Sequence, residues 1–517
     1  MGEANSDQAE VLDFMASPEA YGSGDFPVDR IETHASVVFL AGTDAYKIKR
    51  AVKYPFLDFS TLENRRRALV NELAINRRTA RQLYLDVIPI IVAESGGLRL
   101  GGEGDAIEWA LVMRRFDQES LFDRMAEEGR LPLSVMPQLA QVIADFHRGA
   151  NRFLAPETSV AALLAVLKDN ETALAGEKDA CPADALATVN RGSREALAAI
   201  ALLLQARSSG GYVRHCHGDL HLRNIVEIDG APVLFDAIEF DDRLATIDVL
   251  YDLAFLLMDL GRRGLGAHAN AVLNAYLEAE GGTGNLLGLA VLPLFLAMRS
   301  TIRAKVEMLR ARMAAGSQAE AARDEARAYF SLAQEFLAPT APRLVAVGGL
   351  SGTGKSAVSR AIAPWLGAFP GAVIVRSDVE RKRLFGVAPE ERLSARAYAP
   401  EVSDQVYAMS RKRAMMAIFG GQAAIVDAVQ AKPEEREALA ALAAKLGVTF
   451  TGLWLEAPAK LMRGRVAARR GDVSDATPSV VDEQLGYDIG AQGFTVIDAS
   501  RPLDEVAADC LGRIRTG

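Results

Sequence analysis

The chain has 517 residues, half of them hydrophobic and 24% charged, with 58 basic against 67 acidic side chains and a formal net charge of -9. At about 100 to 200 residues per domain this length implies two to four domains, and the acidic balance excludes a global attraction for nucleic acid or anionic lipid. Three cysteines, Cys181, Cys216 and Cys510, odd in number and without C-x-x-C spacing, indicate neither a disulfide framework nor a zinc site and point to a reducing cytoplasm.

Met1 to Met15 is polar and acidic, unlike a secretory signal. Met1-Gly2-Glu3-Ala4-Asn5-Ser6 matches the short myristoylation pattern M-G-x-x-x-[ST], which chance also produces often. Ser36 to Lys49, with Gly42-Thr43-Asp44 between apolar runs, reads as two strands joined by a turn. A charged, helix-favouring stretch follows from Thr61 to Leu83, and Val87 to Val92 and Trp109 to Met113 are strand-like. A helix-rich region from about Leu133 to Leu204 completes the layout of a small sheet lobe followed by a helical lobe.

After the turn-rich Ser208 to Gly211 come the segment His217-Gly218-Asp219-Leu220-His221-Leu222-Arg223-Asn224, a strand pair ending at Phe235-Asp236, and helices from Asp248 to Leu337. Within these, the apolar run Leu286 to Met298 is too short to span a bilayer and contains Pro293, so it reads as a buried helix and no membrane is expected. Ala338-Pro339-Thr340-Ala341-Pro342 breaks the helical pattern, because two prolines remove backbone donors. The expected division is therefore residues 1–337, a linker at 338–342, and residues 343–517. Beyond the linker, Leu344 to Val347, Val373 to Val375, Ala424 to Val426, Phe450 to Leu455 and Phe494 to Ile497 alternate with helical stretches, which predicts a mostly parallel, doubly wound sheet.

Phosphoryl transfer needs a cation on the phosphates, metal ligands and a carboxylate to position the attacking hydroxyl. His217-x-Asp219, Asn224 five residues on, and Asp236 at the end of an apolar strand supply two of those parts: Asp219 to accept a proton, Asn224 and Asp236 to hold Mg2+. The plainer alternative is that Asp219 and Asn224 cap loops. These residues resemble the aminoglycoside phosphotransferase family, whose loop has the form H-G-D-x-x-x-x-N, over roughly Val11 to Leu337 including Asp248 and Asp252. The resemblance implies a protein-kinase-like bilobal fold and a lysine that holds the ATP phosphates. Lys47 matches it, with Lys49 on the same strand face as the alternative and Glu72 as the ion-pair partner. Thr33-His34-Ala35-Ser36 stands where a protein kinase has its glycine-rich loop, and Phe235-Asp236-Ala237 replaces Asp-Phe-Gly, so the departure is from protein kinases.

In the second half, Gly349-Leu350-Ser351-Gly352-Thr353-Gly354-Lys355-Ser356 completes the phosphate-loop pattern G-x-x-x-x-G-K-[ST] between a strand and an amphipathic helix. Backbone N–H groups of the Gly349, Ser351, Gly352, Thr353 and Gly354 stretch can cradle phosphate, Lys355 can reach the β and γ oxygens, and Ser356 can ligate Mg2+. Asp378, after the second strand, is the candidate for orienting or deprotonating the acceptor hydroxyl, and Asp427 the candidate for the metal shell. Either could instead be a helix N-cap. Arg463 to Arg470 reads as a basic helix broken by Gly471, with Arg465 and Arg469 four apart on one face. This half resembles small phosphate-loop kinases, gluconate-kinase-like and zeta-toxin-like, whose lid arginines meet the transferring phosphate. For any single arginine a solvated face is as good a reading.

Together the halves resemble bacterial proteins that fuse an aminoglycoside-phosphotransferase-like domain to an AAA-type predicted kinase. The expectation is a cytoplasmic, bifunctional, ATP- and Mg2+-dependent kinase acting on hydroxyls of small molecules. The alternative is an ATP-operated regulatory protein or a nucleic-acid-end kinase, resting on the basic groups Arg381-Lys382-Arg383 and Arg463 to Arg470 against an acidic chain. A narrower reading, a cationic drug as acceptor, rests on Glu239, Asp241 and Asp242.

Overall fold

A computed structural model of the chain describes residues 6–22, 26–33, 35–54, 57–94, 96–177, 180–469, 473–491 and 493–516. Met1 to Asn5, His34, Arg470 and Gly471 lie outside them. Packing divides the chain into two compact units, Met1–Phe153 with Val213–Asp252, and Leu154–Tyr212 with Leu253–Gly517.

The first unit is built on an antiparallel sheet of six strands in the order Val28–Glu32, Ser36–Ala41, Asp44–Lys49, Ala106–Arg114, Tyr84–Val92 and Leu98–Leu100. The expected hairpin is there, turning at Gly42-Thr43. One face packs Val37, Phe39, Ile48, Ile90 and Ala110 against Val11 and Met15 of the first helix. The charged stretch forms a helix only over Leu62–Asn76, shorter than the expected 61–83. Thr61 caps its start by accepting from the Asn64 N–H, and it ends where the Asn76 carbonyl closes tight turns with Thr79 and Ala80. Leu69 of this helix packs with Leu83, Tyr84, Leu111, Val226 and Val233, which joins the sheet to the hairpin Ile225–Ile228 and Ala231–Leu234. That hairpin separates the two acidic motifs and fixes their spacing.

The second unit holds a five-stranded, wholly parallel sheet in the order Val373–Arg376, Ala424–Asp427, Arg343–Gly348, Thr449–Glu456 and Thr495–Asp498. Leu344 to Val347 are each fully buried, as expected for a strand covered on both faces. Helices Lys355–Ile362 and Leu503–Thr516 close one layer through Val358, Ile362, Val506 and Ile514.

The same unit includes the long helices Leu292–Met313 and Gly316–Leu337. The apolar stretch Gly284–Met313 is longer than the run 286–298 and reaches membrane-spanning length, yet 78% of its apolar window is buried within the protein. Helix Gly266–Glu280 lies along the edge strand Val373–Arg376: Asn274 Oδ1 accepts from the Ile374 N–H at 2.7 Å, and Asn270 and Asn274 both donate to Ala372 O at 3.1 Å. Phe369 packs on Phe336 and fills the space a Cβ at Gly261 would need. Packing therefore does not follow the proline segment at 338–342, because these side chains bind helices from before it to the sheet after it.

Candidate active sites

Strand alternation turns Ile48 into the core and Lys47 and Lys49 toward a cavity of about 470 Å3 that is also lined by Asp219, Asp236 and Glu239. Lys47 Nζ lies 2.6 Å from Glu72 Oε1 and 3.2 Å from Asp236 Oδ1. Lys49 Nζ lies 2.6 Å from Glu72 Oε2 and 2.6 Å from Glu239 Oε1. Both candidate lysines thus share one wholly buried glutamate, and Lys47 is the one that reaches Asp236. Burial alone would lower the Lys47 ammonium, but the carboxylates of Asp236, Glu72 and Glu239 outweigh it and hold it well above its usual range. Burial likewise opposes ionisation of Glu72, and the two lysines override it, holding the carboxyl at about 2.

Asp236 adopts φ 58°, a left-handed conformation uncommon outside glycine. Two tethers from the sheet and helix hold it there: the Asp236 N–H donates to Tyr84 Oη at 3.1 Å and the Ala237 N–H to Asn76 Oδ1 at 2.9 Å. On the loop before it, Asn224 Nδ2 donates to Asp219 O and Oδ2 at 2.9 and 3.1 Å, so both bonds fall on the amide nitrogen and Oδ1 remains an acceptor. An amide oxygen and the 46% exposed Asp236 carboxylate form a hard-oxygen set that fits Mg2+.

The loop itself hangs on Asp252. Its Oδ2 accepts from the His217 N–H at 3.1 Å and lies 3.1 Å from His147 Nε2, and its Oδ1 accepts from the Gly218 N–H at 2.8 Å. His217 is buried, donates Nε2–H to Phe235 O at 2.9 Å, and so ties the loop to the strand carrying Asp236. His221 Nε2 lies 3.3 Å from Asp219 Oδ2. His147, Cys216 and Asp252 also bring three metal-binding atom types together, but Asp252 is already the acceptor for the loop and burial pushes the Cys216 thiol far above its usual range. Of the acids weighed for a cationic acceptor, Glu239 is paired with Lys49 and Asp241 with Arg243 at 2.7 Å.

In the second unit the phosphate loop runs from the central strand into helix Lys355–Ile362. A Cβ at Gly349 would lie 2.6 Å from Leu455 O and one at Gly352 2.5 Å from Met462 O, so both positions admit only glycine. Ser351 N–H donates to Gln484 Oε1 at 2.7 Å and Thr353 Oγ1 to Leu350 O at 2.8 Å. Lys355 Nζ curls back to Leu350 O at 3.1 Å, and burial pushes its ammonium below the usual range against the pull of Asp427 and Asp378. Ser356 Oγ donates to Asp427 Oδ2 at 2.7 Å, an oxygen pair of the kind that ligates Mg2+. Asp427 is buried, and that burial raises its carboxyl.

Neither aspartate is an N-cap. Asp378 lies within helix Ser377–Phe385, whose N-cap position is Arg376, and Asp427 ends its strand on Ser356. The basic helix spans Ala459–Ala467, shorter than expected, so Arg469 lies beyond its end and does not share a helical face with Arg465. Both nevertheless line a cavity of about 330 Å3 with Gly352, Gly354 and Ser356. Arg465 donates to Thr353 O at 3.2 Å and Ala499 O at 3.0 Å, while Arg463 pairs with Asp482 on the surface. The run Arg381-Lys382-Arg383 is not a surface patch: Arg381 and Lys382 are buried, and Arg383 pairs with Glu380.

Sequence reading missed His147 and the Lys49–Glu239 pair, since each joins residues more than a hundred positions apart. A buried histidine on helix Met136–Gly149 gives no local signal of its partner.

Residues 53–288 match the phosphotransferase enzyme family and residues 344–487 the AAA domain family. Uncharacterized proteins of Mycobacterium tuberculosis and Mycobacterium bovis are 31% identical to the chain over 462 residues, 88% of it and 88% of each of them. Among solved structures, a choline/ethanolamine kinase family protein from Mesorhizobium loti is 16% identical, covering 64% of this chain and 99% of its own with TM-score 0.37. A gluconokinase from Sinorhizobium meliloti is 21% identical, covering 34% and 93% with TM-score 0.25.

Proposed function

Because the chain belongs to a family of two-part proteins that join a domain of the phosphotransferase enzyme family to an AAA domain, we propose that it is a bifunctional ATP-dependent kinase. Each part transfers the γ-phosphate to a hydroxyl of a small-molecule acceptor. The observation that carries this reading is that each site gathers the same parts from distant sequence: a lysine, an oxygen pair suited to a divalent cation, and a further carboxylate.

In the first site Lys47 holds the nucleotide phosphates, Asn224 and Asp236 hold the metal, and Asp219 accepts the proton of the acceptor hydroxyl. Glu72 and Lys49 keep Lys47 in place. In the second site the loop backbone and Lys355 hold the phosphates, Ser356 and Asp427 the metal, and Asp378 the acceptor hydroxyl, with Arg465 and Arg469 beside the transferring group. Mg2+ bound at either place supplies charge neutralisation on the β and γ oxygens. The three cysteines are free thiols, which suits a reducing cytoplasm. With Lys382 and Arg383 ion-paired and Arg381 buried, the nucleic-acid reading loses one of its two basic groups.

Transfer from γ-labelled ATP into a fractionated bacterial metabolite extract tests the proposal in the full chain. Asp219→Asn and Lys355→Ala should each abolish a different labelled product, by about 100-fold or more. Loss of the same product in both variants would instead indicate one coupled reaction.

A further inference from the structure

Helix Gly266–Glu280 lies within the stretch that matches the phosphotransferase family, yet its polar side chains serve the sheet of the AAA match. Asn274 spends both ends of its amide on the outer strand: Oδ1 accepts from the Ile374 N–H at 2.7 Å, and Nδ2 donates to Ala372 O at 3.1 Å. Asn270 donates to the same carbonyl at 3.1 Å. An outer strand leaves such backbone groups without a ladder partner, and Asn274 answers them as a neighbouring strand does.

The last carbonyls of a helix also lack partners within it, and here they are met from beyond residue 343. Arg413 Nη1 donates to Gly281 O at 2.9 Å and Arg383 Nη2 to Glu278 O at 3.3 Å. Glu380, which is buried, pairs with both guanidinium groups and lies 3.0 Å from Arg413 Nε. Helix Gly266–Glu280 is thus fastened along its side and at its end to the outer strand and the helices that follow it.

The strand held in this way leads to the metal end of the second site. Arg376, its last residue, stands in register with Asp427 of the next strand, and its Nε lies 3.8 Å from Asp427 Oδ2. That same oxygen accepts from Ser356 Oγ at 2.7 Å. A path of direct contacts therefore runs from Asn274 through the strand to Arg376, Asp427 and Ser356. A misplacement of about 1 Å passed along such a path costs on the order of 100-fold in rate.

We propose that Asn274 is a positioning residue of the second site: by fixing Ile374 it sets Arg376 against Asp427, and with them the oxygen pair offered to Mg2+. This rests on reading residues 343–517 as a kinase, and it makes that kinase incomplete without a helix of the phosphotransferase match.

The test uses the full chain carrying Asp219→Asn, and the second site's signal is the part that Lys355→Ala removes. Asn274→Leu keeps the bulk of the side chain and takes away both polar ends. It should lower kcat for ATP hydrolysis at least about tenfold and leave the KM for ATP within about twofold, since the loop and Lys355 are untouched. Calorimetric titration with ADP, with and without Mg2+, reads the site apart from turnover. The gain in ADP affinity that Mg2+ brings should fall at least about fivefold in Asn274→Leu, with affinity in the absence of Mg2+ unchanged. Asn274→Asp, which keeps an oxygen for the Ile374 N–H, should recover part of both losses. Phe336→Leu, which loosens the packing on Phe369, should lower the Tm without either loss.

An unchanged Mg2+ gain in Asn274→Leu overturns the proposal. So does an equal loss in Phe336→Leu at the same fall in Tm, since Asn274 would then only stabilise the fold. If Asn274→Leu does not fold, Asn274→Asp is read in its place: a smaller loss of the Mg2+ gain supports the proposal and none ends it. If no ATP hydrolysis depends on Lys355, the kinase reading is what fails, and the ADP titration decides the positioning role by itself. Absence of any Lys355-dependent ADP binding ends both.

Discussion

The two candidate phosphate lysines are held in opposite ways. Lys47 sits among Glu72, Asp236 and Glu239, which keep it charged before any ligand arrives, whereas Lys355 rests on a single carbonyl oxygen and has no carboxylate within ion-pair distance among the described residues. The first site carries its counter-ions within its own fold. Lys355 lacks such a directly paired counter-ion, and under the proposed function a polyphosphate would supply it. Under the proposed function one arrangement is assembled by folding and the other by binding.

The largest expected effect that sharpens this contrast is on the first unit's stability. Glu72→Gln removes the carboxylate shared by two buried lysines and should lower the unfolding free energy by about 3–5 kcal/mol in urea titration of the full chain; a loss below about 1 kcal/mol would break the comparison. Lys355→Met is the counterpart and should lie within about 1 kcal/mol of wild type without ligand. It should also lose the stabilisation that pyrophosphate gives wild type, about 2.7 kcal/mol at a concentration 100 times Kd. Equal pyrophosphate stabilisation of both proteins would show that Lys355 is not the group awaiting charge. The smallest effect is on pH. Glu72 is held at about 2, below the roughly 4.3 of an unfolded glutamate, so its contribution is complete above the unfolded value and is lost as pH falls toward 2. The stability gap between wild type and Glu72→Gln should therefore narrow between about pH 5 and 2.

The fold was legible where the information is local. Apolar and β-branched runs placed the strands of the second sheet and the middle four of the first, but not its edge strands Val28–Glu32 and Leu98–Leu100, and the glycines around Lys355 and the five-residue step from Asp219 to Asn224 placed the loops. Helix ends were less legible: the stretch after Thr61 and the arginine helix both stop early, because turns at Asn76 and after Ala467 depend on backbone geometry that charge and propensity do not report. The choice between Lys47 and Lys49 could not be made from one strand, since the two share a face and are told apart only by Asp236 and Glu239, which lie nearly two hundred residues on. Arg381 read as part of a basic run because burial is a property of the tertiary packing. The packing of helix Gly266–Glu280 on the edge strand was hidden for the same reason: Asn270 and Asn274 look like ordinary polar helix residues until the strand they meet is known.

Those two asparagines bear on how such a protein could arise. A parallel sheet ending in a bare strand offers its backbone to any other strand it meets, and here that offer is taken up by a helix belonging to the other homology segment. Cutting the gene at the proline codons would release a phosphate-loop half with an adhesive flank. Residues 343–517 taken alone would therefore leave that border of the sheet without the two asparagines that now bind it.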